Sequence, residues 1–140
     1  MARWLILQAS AGVQRAYWYM WDMGKDRQAW GGMWDESSGV FKAGIAYGEV
    51  YKWLVGSTFT KACFADHDVW TCDITRGDGK PARIVWNAMR SYDTGVTWKY
   101  SAAPFVEFRD LNGNESAISG GMVAIGSKPV LLEMAATKGK

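Results

Sequence analysis

The sequence predicts an α+β protein that is mostly β: an antiparallel β-sandwich over residues 58–134, preceded by a helix, a buried strand and a second helix. After Ser57, short segments of β-branched and aromatic residues alternate with turn signals, which is typical of a sandwich. Before Ser57, apolar residues recur at helical spacing on either side of one continuous apolar run. We therefore place a domain boundary near residue 57, between units 1–57 and 58–140.

Residues 3–13 predict a short helix that ends near Gly12. The following stretch, RAYWYMWD at 15–22, predicts a strand that is covered on both faces, as in parallel sheets with helices over them. It leaves no polar side for water, because five large side chains follow one another: Tyr17, Trp18, Tyr19, Met20 and Trp21. Residues 23–39 are predicted to form a loop that contains glycine and tryptophan.

Residues 41–55 predict the second helix, and Gly56-Ser57 supply its stop. Gly44 and Gly48 lie one turn apart and are expected to let this helix approach a sheet closely. The sandwich strands are predicted over 58–64, 69–75, 82–88, 96–100, 104–109, 116–118, 121–125 and 129–134. Turn signals rich in glycine, asparagine and aspartate separate them.

Charge and hydropathy exclude two classes of partner. The formal net charge is only +2, with no basic patch beyond the Lys138-Gly139-Lys140 tail, so we expect no nucleic-acid binding. No apolar run approaches the ~20 residues that span a bilayer, so we expect no membrane insertion. The nine tryptophans indicate either an aromatic core or surfaces that stack on flat apolar ligands such as sugar rings.

Cys63 and Cys72 lie nine residues apart around a turn-like Asp66-His67-Asp68. A hairpin with that turn would bring them together as a disulfide, which indicates an oxidising compartment, periplasmic or extracellular. The alternative is a pair of reduced cysteines within a sheet. The N-terminus shows no signal peptide, since only a short apolar stretch follows Arg3, so the indications of compartment conflict.

Several common kinds of site are not predicted. Gly77-Asp78-Gly79-Lys80-Pro81-Ala82 fits a loose dinucleotide-binding pattern, but no helix follows it. Asp110 begins a calcium-like loop whose expected glutamate is Gly121, and an Asn-Gly hairpin fits better. His67 is the only histidine, which disfavours a Ser-His-Asp triad and a zinc site. We therefore expect no metal and no cofactor.

Carboxylates beside tryptophans remain as candidates for chemistry. Asp22 follows Trp21, and Asp35-Glu36 follow Trp34. Glycoside hydrolysis uses two carboxyl groups, about 5–5.5 Å apart for retention and about 6.5–9.5 Å apart for inversion. Asp22, Asp35 and Glu36 are thus the candidate catalytic residues, although Asp22 has the alternative role of ending a strand.

The order of motifs resembles the C-terminal end of bacterial secreted glycoside hydrolases, in which a (β/α)8 barrel precedes a small β-sandwich. The resemblance rests on RAYWYMWD, the Trp-rich loop, AYGEVYKWLVGSTFTKACFADHDVWTCDITR, VWN, FVEFRDLNGNESAI and IGSKPVLLE. It implies that 3–13 is the seventh barrel helix, 15–22 the eighth strand, 41–55 the eighth helix and 58–134 the sandwich. Barrel interior and helix layer would then cover the two faces of the strand.

The resemblance also implies a site and a location. Trp21, Trp30 and Trp34 would lie on the catalytic face and stack against sugar, and the parent protein would be extracellular or periplasmic. In related enzymes the acid/base and the nucleophile stand on the fourth and seventh barrel strands, which have no counterpart in this sequence. No catalytic residue is therefore carried over.

Three functions follow as hypotheses. The first is a carbohydrate-associated module, the C-terminal fragment of a glycoside hydrolase without its catalytic carboxylates. The second is a small autonomous glycosidase-like hydrolase that uses aspartate, glutamate and tryptophan of region 21–36, or Glu49, in a site between subunits. The third is a structural sandwich without a ligand. We also expect a homo-oligomer, because an unpartnered strand 15–22 would expose apolar side chains and recruit another strand, with Trp18, Met20 and the Gly44/Gly48 helix face at the interface.

Overall fold

The computed structural model describes residues 1–22, 32–89 and 97–135. Its helices are α1, Ala2–Ser10, and α2, Lys42–Leu54. Its strands are β1 Trp34–Asp35, β2 Gly39–Val40, β3 Thr58–Phe59, β4 Phe64–Asp66, β5 Val69–Thr75, β6 Pro81–Asn87, β7 Trp98–Ser101, β8 Glu107–Arg109, β9 Glu115–Ala117, β10 Met122–Ile125 and β11 Val130–Glu133. Neither described helix has the length and apolarity needed to cross a membrane.

The strands form one large antiparallel sheet and two small ones. The seven-stranded sheet has the order β3-β5-β6-β11-β8-β9, and β4 pairs with β5 outside that path. β7 and β10 form a two-stranded ribbon, and β1 and β2 form a hairpin. The prediction of an α+β, mostly β fold is confirmed. The other predicted strands after Ser57 agree with the structure to within a few residues, but the predicted strand 58–64 is replaced by two short strands, β3 and β4.

The large sheet lies between the helices and the ribbon. Ile84 and Trp86 of β6 belong to a buried cluster that includes Ile6 of α1 and Trp53 of α2. Val85, which points to the other face of the same strand, belongs to a second cluster with the ribbon residues Val123 and Ile125. Both faces of β6 are therefore buried, and the helices of residues 1–57 share a core with the sheet. The domain boundary near residue 57 stays a prediction.

Both helices end where the sequence predicts. Gly12 follows the C-cap of α1 with a φ of 81°, and Gly56 follows the C-cap of α2 with a φ of 74°, which is the left-handed conformation that favours glycine at a helix end. Gly44 also provides a close approach, but to a different neighbour. A Cβ at Gly44 would lie 2.7 Å from the Met33 carbonyl oxygen and 2.7 Å from Val40 Cγ1, so α2 contacts the β1–β2 hairpin there and not the large sheet.

The predicted strand 15–22 does not form. Its pairing within the described residues is a single parallel bridge between Asp22 and Trp34. A strand needs a ladder of hydrogen bonds to a neighbour, and among the described residues segment 15–22 meets a strand only at its end, where Trp21 and Asp22 contact β1. The expected cover on both faces is also wrong: Trp18 is half-buried and meets Trp4 of α1 edge-on at 5.8 Å between ring centroids, whereas Tyr17 and Tyr19 on the other side are exposed.

Candidate functional site

The end of segment 15–22 and the β1–β2 hairpin lie side by side. The Trp21 carbonyl oxygen accepts hydrogen bonds from the backbone N–H groups of Met33, at 2.9 Å, and Trp34, at 3.0 Å. Asp22 pairs with Trp34 in the adjacent bridge. The backbone thus brings Trp21, Asp22 and Trp34 together, with Asp35 following in the hairpin. Trp30, the third predicted stacking residue, lies outside the described residues.

Asp35 closes the turn of this hairpin. Its Oδ1 atom accepts three hydrogen bonds, from Ser37 Oγ at 2.7 Å, the Ser37 backbone N–H at 2.7 Å and the Ser38 backbone N–H at 2.6 Å. These bonds from Ser37 and Ser38 lower the pKa of Asp35, although burial acts in the opposite direction. A catalytic general acid needs a raised pKa, so Asp35 is suited to hold the turn and not to donate a proton.

We expect Asp35→Ala to loosen the hairpin selectively. Because the folded-state pKa of Asp35 is lowered, its stabilising effect is complete above the ordinary aspartate range and is lost as the pH falls through the lowered value. Amide chemical shifts and hydrogen exchange at Ser37 and Ser38, followed by NMR over an acid titration, measure this. Glu36→Ala, a change at the neighbouring exposed carboxylate, is the control. Unchanged Ser38 protection in Asp35→Ala would contradict the assignment.

Asp22 and Glu36, the two other candidate carboxylates, are exposed. Asp22 is a partner in the bridge to Trp34 and Glu36 lies in the hairpin turn, and both are exposed to solvent. Glu49, by contrast, is buried and forms an ion pair with Lys52. It packs against the β8–β9 turn, where a Cβ at Gly113 would lie only 3.0 Å from Glu49 Oε1. The β1–β2 hairpin, which carries the candidate carboxylates, contacts α2 at Gly44 and not at Glu49. Glu49 therefore has a role in packing α2 against the β8–β9 turn.

Three aromatic residues of segment 15–22 are exposed, and sequence reasoning missed two of them, Tyr17 and Tyr19. Exposure alternates along residues 15–21, and Tyr17, Tyr19 and Trp21 are 82%, 81% and 53% exposed. With Arg15, which is also exposed, these residues form what we call the aromatic row. Trp34 is half-buried beside its end. The sequence showed little sign that exposure alternates from one residue to the next. Residues 17–21 are all large and mainly apolar, and only the polar Arg15 at one end indicated the exposed side.

A groove continues from this row between the two helices. Its volume is about 340 Å³. Leu5 and Ala9 of α1 and Tyr51 and Leu54 of α2 line it, and Tyr17 of the aromatic row lies at its margin. Its lining is mainly apolar, so it extends the exposed apolar surface of the row.

The two cysteines form the predicted disulfide. Their Cα atoms are 4.4 Å apart and Phe64 pairs with Thr71 in the adjoining β4–β5 ladder, so the cysteines stand opposite each other at its end. His67 and Asp68 form the connecting turn with φ values of 45° and 65°. His67 is exposed and pairs with Asp66, with 2.6 Å between Nδ1 and Oδ1.

The calcium-like stretch forms the β8–β9 turn. Asp110 Oδ1 accepts hydrogen bonds from the backbone N–H groups of Asn112, at 2.8 Å, and Asn114, at 3.0 Å. Burial opposes ionisation of Asp110, but the combined hydrogen bonds from Asn114 and Asn112 outweigh it and lower the pKa. Gly113 has a φ of 83°, as an Asn-Gly turn requires. Within ranges 1–22, 32–89 and 97–135, no three histidine, cysteine, aspartate or glutamate residues group as metal ligands.

Comparison with known proteins gives one fold neighbour. No protein-family model matches the sequence, and no curated protein matches it. A family 39 glycoside hydrolase from the gut symbiont Bacteroides cellulosilyticus WH2 has a similar structure, with a TM-score of 0.56 and 18% sequence identity. The match covers 74% of this chain and 22% of that chain, so this chain spans about a fifth of the neighbour. The likeness shows that this chain shares its fold with part of that protein.

Proposed function

We propose that this chain is the carbohydrate-associated C-terminal part of a glycoside hydrolase and contributes to sugar binding without the catalytic carboxylates of such an enzyme. The observation that carries the proposal is the fold likeness, which relates most of this chain to a small part of a glycoside hydrolase. The order of motifs in the sequence points the same way independently. The Cys63–Cys72 disulfide favours an extracellular or periplasmic location.

The sugar-binding surface would be the region where Trp21 meets the β1–β2 hairpin. An exposed indole offers a flat apolar face on which the C–H face of a sugar ring packs. Asp22 and Glu36 are exposed nearby in the chain, and their carboxylates can accept hydrogen bonds from sugar hydroxyls. Trp34 contributes its half-buried ring, and Trp30 remains a further candidate.

We expect Trp21→Ala to weaken sugar binding about tenfold, which corresponds to about 1.4 kcal/mol. The measurements are pull-down on insoluble polysaccharides and titration of tryptophan fluorescence with a panel of soluble oligosaccharides. Trp98→Ala is the matched control, because Trp98 is 48% exposed but lies on the ribbon strand β7. Equal losses in the two variants would remove the site assignment, and no binding by the unaltered chain would overturn the proposal.

Activity assays on the same purified protein distinguish the other two hypotheses, an autonomous hydrolase and a structural sandwich without a ligand. Release of reducing ends or of a chromogenic aglycone would indicate the autonomous hydrolase, with Asp22, Asp35 and Glu36 as the residues to replace. The lowered pKa of Asp35, which the Ser37 and Ser38 hydrogen bonds cause, argues against that residue as the acid. A chain that neither binds nor cleaves any glycan would be the structural sandwich.

A further inference from the structure

We propose that the Cys63–Cys72 disulfide is a redox-sensitive control of segment 15–22, which contributes Trp21 and Asp22 to the candidate sugar-binding region. The oxidised bond fixes the C-terminal end of α1, and α1 in turn holds the segment. Reduction should therefore loosen the segment and weaken glycan binding, although neither cysteine belongs to that region. The effect on glycan binding rests on the proposed function, whereas the effect on the segment does not.

The first contact joins the disulfide to the end of α1. The backbone N–H of Cys63 donates a hydrogen bond of 2.6 Å to Oγ of Ser10, the last residue of α1. Cys63 lies outside the described strands, since β3 ends at Phe59 and β4 begins at Phe64. The bond to Cys72 of β5 is therefore the covalent link that keeps the Cys63 N–H opposite Ser10.

The last turn of α1 sets the direction in which the chain leaves the helix. The Gln8 carbonyl oxygen accepts a hydrogen bond of 3.0 Å from the backbone N–H of Val13, two residues before segment 15–22. Ile6, in the preceding turn, is fully buried in the core. Helix ends fray more readily than helix interiors. Without the contact to Cys63, the last turn and the chain that follows it can shift while the core stays intact.

The second contact joins α1 to segment 15–22. Trp4 of α1 meets Trp18 edge-on, with 5.8 Å between the ring centroids and 63° between the ring planes. At the far end of the segment, the Trp21 carbonyl oxygen accepts the hydrogen bond from the backbone N–H of Trp34 in the β1–β2 hairpin. The contacts from α1 to the hairpin are thus continuous, and a shift at the end of α1 should reach Trp21.

Reduction of the disulfide needs only a dithiol. The two thiols of the dithiol become a disulfide, and the two cysteine sulfurs each gain one electron and one proton, so the exchange is balanced. Cys63 is half-buried and Cys72 is fully buried, so the attacking thiolate should reach the Cys63 sulfur and release Cys72 first. The reduced chain keeps every heavy atom, so a change in the segment comes from loss of the S–S bond alone.

NMR of the chain before and after addition of dithiothreitol tests the effect on the segment. We expect the backbone order parameter of Ser10 to fall on reduction from about 0.85 to below about 0.6. Cross-peaks between the Trp4 and Trp18 rings should weaken, and the amide signal of Trp34 should shift. The order parameters of α2 should stay unchanged. Far-UV circular dichroism confirms that both redox forms are folded.

Ser10→Ala tests the hydrogen bond with the disulfide intact, and it remains informative if reduction unfolds the chain. It removes the acceptor of the Cys63 N–H, so the oxidised variant should lose order at the end of α1 and weaken the contact between Trp4 and Trp18. Ser116→Ala is the matched control, because it removes the hydroxyl group of an exposed serine on β9. It should change neither property.

Titration of tryptophan fluorescence with the panel of soluble oligosaccharides tests the effect on glycan binding. The oxidised chain should bind about fivefold more tightly than the reduced chain, which is within the usual range for coupling between two sites. Ser10→Ala should weaken binding in the same direction, and Ser116→Ala should leave it unchanged.

Unchanged order at Ser10 and an unchanged contact between Trp4 and Trp18 after reduction would overturn the proposal. An equal loss of order in α2 would also overturn it, because the disulfide would then stabilise the whole fold. Equal glycan affinity of the two redox forms would refute control of sugar binding. If the unaltered chain binds no glycan, the proposed function fails, and the NMR result alone decides whether the disulfide controls segment 15–22.

Discussion

Replacing Trp53 with alanine is expected to destabilise the chain by about 3–5 kcal/mol, the usual cost of removing a buried aromatic side chain from a core. Trp53 is fully buried on α2, in the cluster that joins both helices to the large sheet. Domains of this size have unfolding free energies of about 5–15 kcal/mol, so the loss is a large fraction of the total. The variant should be partly unfolded at moderate urea concentrations.

Urea unfolding with two probes measures this effect and tests the predicted domain boundary. Far-UV circular dichroism follows the helices of residues 1–57. Amide hydrogen exchange at Trp70 and Trp86, whose rings stack at 5.7 Å with an interplanar angle of 3°, follows the large sheet. Because helices and sheet share a core, we expect both signals to shift together in Trp53→Ala.

Tyr17→Ala is the control for this experiment, because Tyr17 is 82% exposed and substitutions at exposed sites usually change stability by less than about 0.5 kcal/mol. A helical signal that is lost at lower urea while the Trp70–Trp86 signal is unchanged would contradict the prediction. That result would mean that units 1–57 and 58–140 unfold independently.

Replacing Cys63 and Cys72 together with alanine is expected to cost about 2–3 kcal/mol, because the cross-link restricts a loop of about ten residues in the unfolded chain. Cys72 is also fully buried, and loss of its sulfur removes packing from the cluster beneath the helices. Urea unfolding of the oxidised chain, the reduced chain and the double variant separates the two contributions. The reduced chain lacks only the cross-link, whereas the variant also lacks the sulfur atoms.

Mass spectrometry without reductant provides the independent check on the disulfide. Protein expressed in an oxidising compartment should contain no free thiol. Two free thiols in that protein, or equal stability of the oxidised and reduced chains, would contradict the prediction.

The strands of the large sheet were predictable because their signals are local. The turn between Cys63 and Cys72 and the Asn112-Gly113 turn each place two runs of alternating residues antiparallel. The Cys63–Cys72 pairing follows from the same hairpin register. The ends of both helices were likewise predictable from single residues, because Gly12 and Gly56 adopt the left-handed conformation that follows a helix end.

The candidate carboxylates were selected by their positions in the sequence, which did not reveal their contacts. Sequence reasoning selected Asp35 because it follows a tryptophan. The structure shows that its carboxylate holds the hairpin turn through Ser37 and Ser38. The signal for that role was present, since an aspartate followed by serines two and three positions later favours such a turn. The bridge that brings Asp22 to Trp34 was not visible in the sequence, where Asp22 was selected only because it follows Trp21.

The sequence by itself determined the helices, the hairpins and the disulfide, since each depends on hydrogen bonds or covalent links between residues close along the chain. Only the tertiary structure determined whether residues 15–22 form a strand and which of their side chains are buried. A continuous apolar run indicates that both sides of the segment would be stabilised by burial. Whether the segment forms a strand, and which side is buried, depends on residues distant in the sequence. In this chain α1 reaches the side that carries Trp18 and leaves Tyr17, Tyr19 and Trp21 exposed. Packing against remote residues likewise made Glu49 a buried contact of the Gly113 turn.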